Sequence, residues 1–390
     1  MSTLKVDAIR HNSATSDAIT TASDGTCTAK LTSVGGGQLS HRNLIINGDF
    51  RINQRGSSST ASGRQTVDRF SLDHSGTDEG PTQAQVDVAA GTTPYELGFR
   101  KAFKVTNGNQ TGGAGAGDFI RMLYLIEAQD IANSGWNYKS SSSYITLSFW
   151  VKTSVAQTYY FNFRAYDGTQ KMYCFSVALS ANTWTKVTKT IPGHADLSFD
   201  NDTGTGMYIQ WYQFRGTNNT GTVTLNQWNN YDSSILTPDQ TSTWYTTNDA
   251  TFEITGVQLE VGDTATSFEH RSYGEELSRC QRYYQRQAAN SDAYIQPGKG
   301  QGTTSIDAGY SLAVPLRAEP TVACASNRVF KHNGYSNSTT APTVIQWNTT
   351  NSPYSSVIAL NFGGHSSITS NYVCSWCPTF GSVLTLDAEL

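Results

Sequence analysis

At 390 residues the chain is long enough for two or three hydrophobic cores. A net charge of −4, a pI near 6.0 and the lack of any Lys/Arg cluster exclude the basic field that nucleic acids require. Hydrophobic residues are 37% and charged residues 15%, while Gly, Ser, Thr and Asn abound beside 20 Tyr and 8 Trp, a mixture that favours strands and turns over helices. The strongest apolar run, 119–126, is short and interrupted by Arg121, so no segment spans a membrane, and MSTLKVDAIRHN lacks the apolar centre of a signal peptide. Synthesis in a reducing compartment is therefore expected, with the cysteines as free thiols.

In chain order, residues 1–42 are polar, with Leu4, Val6, Ile9 and Ile19 as scattered apolar positions before Gly35-Gly36-Gly37. Such a segment cannot bury enough surface to fold alone, and reads as a disordered tail or as an arm that orders against partners. From 43 to 271, nine strand-like runs recur between turn signals: VDRFSL, FRKAFKV, FIRMLYLIEA, YITLSFWVKT, TYYFNFRAY, KMYCFSVAL, TWTKVTKTI, GMYIQWYQF and FEITGVQLEV. The spacing predicts a β-sandwich of jelly-roll type. Gly-rich 107–117 and polar 216–249 read as surface loops. In the last run Gly256 sits where the alternation slips by one, as at a bulge.

Residues 272–290 predict a short helix and linker. Ser272 and Glu275 have capping-box spacing, and Leu277, Cys280 and Tyr284 share one face. So short a helix must bury that face against adjoining domains or against copies of itself. After a break at PGKGQG, about six further strands over 291–390 predict a small C-terminal β-sandwich, with loops at 330–340 and 347–356.

Motifs for catalysis are sparse. Asp196/Asp200 and Glu275/Glu276 are carboxylate pairs that read equally as solvated loop acids and a dipole-stabilised helix start. No nucleophile elbow, HExxH or phosphate loop occurs, and the Cys374/Cys377 pair has no second half-site for zinc, so no enzyme is expected. Aromatics are more informative: strand parity turns Trp150 outward, and also Tyr160 and Arg164, so that a sugar's CH face and hydroxyl rim could meet ring and guanidinium, although outward aromatics also pack under loops. In the C-terminal part Tyr335, Trp347 and Tyr354 offer rigid aromatic area among Asn and Ser.

The run GVQLEVGDTATSFEHRSYGEELSRCQRYYQR, the opening NLIINGDFR and the N-terminal VDAIRHNSATSDAITTASDGT carry a resemblance. The first two resemble the carbohydrate-binding-like jelly roll of phage tail fibres and receptor-binding proteins, and the last resembles the tail-attachment end of fibres from phages infecting cyanobacteria. The resemblance implies a mainly β homotrimeric fibre on the virion, made in the host cytoplasm, with the Leu277, Cys280 and Tyr284 face near a threefold axis. It further implies that residues 1–40 dock on tail adaptor or nozzle proteins and that a host-surface glycan or protein is bound. A structural calcium at Asn47, Asp49 and Asp249 is a weaker implication. A capsid or collar fibre, or a polysaccharide-degrading tailspike, are the other readings, although the repeated short rungs of a tailspike β-helix are missing.

Overall fold

The computed structural model describes residues 6–10, 19–21, 23, 27–29, 41–288, 296–324, 327–331, 334–338, 340, 342–346, 357–376 and 383–390. At the N-terminus β1 (Ala8–Ile9), β2 (Ile19–Thr21) and β3 (Cys27–Ala29) pair as a three-stranded antiparallel sheet. The arm expected to be extended thus has local pairing, which satisfies backbone groups without making a core. Val6 and Ile9 stay 40% and 55% exposed.

The first body is built from β4 (Ser58–Ser59), β5 (Phe70–Ser75), β6 (Thr82–Asp87), β7 (Lys101–Thr106), β8 (Phe119–Glu127), β9 (Tyr144–Thr153), β10 (Gln157–Ala165), β11 (Lys171–Leu179), β12 (Thr185–Pro192), β13 (Thr205–Arg215), β14 (Trp228–Asn230) and β15 (Thr251–Val261). They form two six-stranded sheets, ordered β14-β11-β10-β13-β8-β5 and β12-β9-β15-β7-β6-β4, which face each other as a jelly-roll sandwich. Parity sets the core as expected: Ile145, Leu147, Phe149 and Val151 of β9 meet Tyr159, Phe161 and Phe163 of β10 inside. Gly256 has φ +63 at a register shift between Thr255 and Gln258, the bulge read from the alternation. The single-turn helices α1 (Thr93–Glu96), α2 (Ala128–Ala132) and α3 (Thr243–Thr246) are too short to leave a periodic signal.

Two distant stretches close this body. Asn43 accepts from the N–H groups of Ile45 and Leu259 and donates to Val257 O. Gly48 lies so close to β15 that a Cβ would stand 2.1 Å from Val257 O, hence the glycine. Arg271 donates to Ile45 O at 3.1 Å and also to Asn43 O, and pairs with Glu276 at 3.3 Å, which in turn accepts the Asn47 N–H. Glu276 opens α4 (Tyr273–Gln281), whose N-cap Ser272 accepts from Glu275 N–H at 3.2 Å.

The helix stripe is consumed inside the chain. Leu277 and fully buried Cys280 pack on Ile46, Ile52, Tyr283 and Leu390, which occupies the face that a threefold axis was expected to use. Tyr284 is not on the helix but begins β16 (Tyr284–Ala288), so within the 272–290 stretch expected as helix and linker the helix is followed from Tyr284 by a strand of the second body. There β16-β25-β19 form one sheet and β21-β20-β24-β17-β18-β23-β22 the other, over β17 (Gln296–Gln301), β18 (Ser305–Ser311), β19 (Thr321–Cys324), β20 (Asn327–Lys331), β21 (Gly334–Ser338), β22 (Thr343–Gln346), β23 (Val357–Phe362), β24 (Val373–Trp376) and β25 (Val383–Asp387). The PGKGQG stretch, read as a break, is the interior strand β17. Cβ atoms at Gly298 and Gly300 would meet Asp307 O at 2.5 Å and Thr369 O at 2.2 Å, so glycine here permits close packing.

The two bodies are joined by charge as well as chain. Glu389 lies among Arg55, Arg64 and Arg69, and the buried Arg69 guanidinium sits 3.4 Å from the Tyr283 ring. Arg55 adds an ion pair to Asp387 at 2.7 Å, and Arg282 one to Glu127 at 3.0 Å. Beside them burial pushes the Asp68 carboxyl up from 3.8 to about 6, against hydrogen bonds from Gln54 that work to lower it.

Glu276→Ala removes one partner of a buried pair and should lower stability by about 3–5 kcal/mol, while Glu275→Ala, at a half-buried surface pair, changes it by less than about 1 kcal/mol; chemical denaturation of both variants checks this. The Asp68 carboxyl holds its proton to higher pH when folded, so its contribution is present below pH 3.8 and lost as pH rises through about 6. Asp68→Asn should accordingly gain on wild type between pH 4 and 7 in paired thermal melts.

Candidate functional site

Side chains alternate along a strand, so the outward face of the first sheet is fixed by register. Arg164 of β10 lies opposite Tyr208 of β13, Asn162 opposite Gln210, and Tyr160 opposite Tyr212, with Tyr212 also opposite Arg121 of β8 and Arg121 opposite Asp73 of β5. A polar ladder locks these rows. Arg121 donates to Gln210 Oε1 at 2.7 Å, Tyr212 OH donates to the same oxygen at 2.9 Å, Gln210 Nε2 donates to Asn162 Oδ1 at 2.7 Å, and Arg121 pairs with Asp73 at 3.1 Å. Asn162 Nδ2 then reaches Leu236 O at 3.2 Å in the 216–240 loop, which covers the middle of the face and buries Asn162 and Gln210.

At one end of the face the same loop lays Tyr231 beside Arg164, and Tyr166 stays exposed. The Arg164 guanidinium is 3.6 Å from the Tyr231 ring centroid, 5.0 Å from Tyr166 and 5.3 Å from Tyr208. Gln170 Oε1 accepts from its Nε and Nη2 at 3.1 and 2.5 Å, which fixes its plane. Tyr166 is 40% exposed and stands 5.2 Å from Tyr208, whose hydroxyl is held above its usual range by burial, so it stays neutral and able to donate. The result is a pre-set array of three tyrosines about one guanidinium, in which Tyr166 is exposed and Arg164, Tyr208 and Tyr231 are half-buried.

The expected site residues are scattered. Tyr160 and Arg164 share this face, two rows apart, whereas Trp150 lies on the outer face of the other sheet, packed with Val88, Phe99 and Ala102. Tyr335 is not in a loop but on β21, paired with Phe330 of β20 in an antiparallel ladder and 51% exposed. Trp347 and Tyr354 lie outside the described residues. Missed by sequence were Tyr166, Tyr208 and Tyr231. Tyr208 was findable by parity in GMYIQWYQF and Tyr166 in TYYFNFRAY, two places after Arg164, but Tyr231 comes from a loop that only tertiary structure brings to them.

The proposed metal residues do not converge. Asn47, at φ +62, spends its amide on Ile52 N–H, Ile52 O and Asp68 O. Asp49 pairs with Arg51 at 2.7 Å, and Asp249 precedes β15 at its far end, roughly 20–25 Å along the strand from the Gly48 contact. Among the described residues no group of three His, Cys, Asp or Glu could hold a metal ion. Three of the four candidate acids are engaged in ion pairs, Asp196 with Lys171 at 2.7 Å, Glu275 with Arg279 at 3.0 Å, and Glu276 with Arg271, while the Asp200 N–H donates to Asp167 at 3.0 Å. Cys174 and Cys280 are free and buried, and Cys324 and Cys374 are buried as well.

No protein-family model and no curated protein matches the chain. Solved structures similar to it include the enzymatically active domain of tailspike protein 4 of bacteriophage CBA120, at 12% identity and TM-score 0.30, covering 56% of this chain and 21% of that one. Another is the family 11 carbohydrate-binding module of a Clostridium thermocellum cellulosomal cellulase, at 12% identity and TM-score 0.25, covering 55% and 98%. An exo-β-agarase matches at 7% identity and TM-score 0.30, covering 58% and 26%. The match thus spans about a fifth of the tailspike chain, and likeness at this level assigns neither family nor ligand.

Asn162→Ala should leave Leu236 O and Gln210 Nε2 without their buried partner and cost about 1–3 kcal/mol. Limited proteolysis should then cut first within 216–240.

Proposed function

We propose that this chain is a virion fibre protein, in the first instance a phage tail fibre, that binds a host-surface glycan through the Tyr166, Tyr208, Tyr231 and Arg164 array. The observation that carries the glycan reading is this array itself. A pyranose presents an apolar CH face and a rim of hydroxyls, and the array offers ring faces beside a guanidinium whose plane is already fixed, on a sheet that does not need to reorganise. The chain acts by binding and not by catalysis, a reading supported by the ion pairs that engage Asp196, Glu275 and Glu276, three of the four candidate acids.

The fibre reading draws on the resemblance of VDAIRHNSATSDAITTASDGT to tail-attachment segments and on the exposed Val6 and Ile9 of the small N-terminal sheet, apolar side chains that a docking partner would cover. Residues 1–40 dock on the tail, and the fibre is a homotrimer. Three weak sites on one fibre raise avidity by orders of magnitude.

Tyr208→Ala and Arg164→Ala should each weaken adsorption of the purified chain to susceptible cells by about 30-fold, equivalent to about 2 kcal/mol, with the melting temperature little changed. Unchanged adsorption by both variants, alongside loss in Tyr335→Ala, moves the receptor site to the second body. Solution mass gives the assembly state, with a monomer at micromolar concentration contradicting the trimer.

A further inference from the structure

The other sheet carries a second concavity on its outer face. It is a cavity of about 220 Å³ between β9, β15 and the 262–270 segment, lined by Phe99, Trp150, Phe268, His270 and Lys186. Its existence depends on the bulge in β15. Gly256 stands at φ +63, and a Cβ there would lie 2.6 Å from the Phe99 ring, so only glycine lets Phe99 enter and form one wall. Phe99, Phe268 and His270 then pack mutually with centroids 4.9 to 5.3 Å apart, and His270 is oriented by a 3.1 Å hydrogen bond with Leu97 O. These rings form rigid walls without a charge of fixed sign.

The charges at the rim are unequal. Lys152, which also faces outward on β9, is matched by Glu253 at 3.0 Å and lies 5.1 Å from the Trp184 ring. Lys186, directly opposite Trp150 on β12, is exposed and has no acidic partner among the described residues, and no Asp or Glu lines the cavity. A cavity of this volume lies below the range of about 300–1,000 Å³ that takes a drug-sized molecule, so its occupant is a single ring. An aromatic wall selects a ring with an apolar face, the polar residues Ser148, Thr266 and Ser267 in the lining suit a polar rim, and an ammonium with no acidic partner among the described residues selects an anion.

We propose that this cavity binds an acidic monosaccharide unit, with its CH face on Trp150 and its carboxylate on Lys186. The site stands on residues separate from the tyrosine array and does not rest on the function proposed for that array. Saturation-transfer NMR of the full chain should show saturable binding of sodium D-glucuronate, in the millimolar range usual for one ring, and weaker binding of methyl glucoside. Lys186→Ala, an exposed substitution with little folding risk, should weaken glucuronate by about tenfold while leaving methyl glucoside unchanged. Trp150→Ala should remove both, and Tyr208→Ala neither. The proposal is overturned if wild type shows no saturable glucuronate signal, if Lys186→Ala binds glucuronate as wild type does, or if Tyr208→Ala abolishes the signal.

Discussion

The first body is held shut by one buried ion pair and the backbone groups it serves. Arg271 and Glu276, both nearly inaccessible, connect the segment that opens the body to the segment that leaves it: the guanidinium takes Asn43 O and Ile45 O, and the carboxylate takes Asn47 N–H. A buried pair of this kind contributes little net energy over an apolar substitute, but its fixed directions specify which segments meet. Because Glu276 belongs to the first turn of α4, the same contact also sets where the helix lies and hence where the second body begins. NLIINGDFR and the FEHRSYGEEL part of the closing run, two of the stretches that carry the resemblance, are thus two halves of one closure.

The second body is positioned by a similar use of buried arginine. Glu389 reaches back to Arg55, Arg64 and Arg69, and Arg69 is flanked by Tyr124 and Tyr283 rings. Arg317 adds a link by donating to Thr203 O of the first body and to Ala388 O at 2.9 Å. The two bodies are therefore joined by ion pairs and hydrogen bonds as well as by the chain itself.

Much of the first body was legible because its strands bury one face and alternate. All nine expected runs contain strands, and the inward residues of β9 and β10 were assigned correctly. What escaped had a physical reason in each case. The β6 sequence TQAQVD is mostly polar and borrows its stability from neighbours, so it lacks an alternating signal. In β17 the Pro and Gly residues signalled a break, yet they serve close strand packing. The Leu277, Cys280 and Tyr284 stripe had the right spacing, but helix α4 ends at Gln281 and the chain itself covers the face. Of the site, outward Arg164 followed from parity. Tyr166, two places on in the same run, was open to the same reasoning, whereas Tyr231 was not, because a contact between segments so far apart in sequence leaves no local trace.

The tyrosine array on the first body is the centre of this account. The most direct measurement is hydrogen–deuterium exchange of the full chain with and without surface polysaccharide purified from a susceptible host. The account predicts added protection at 160–166, 205–212 and 228–231. Protection confined to the second body, at 327–346 or 357–376, would contradict it.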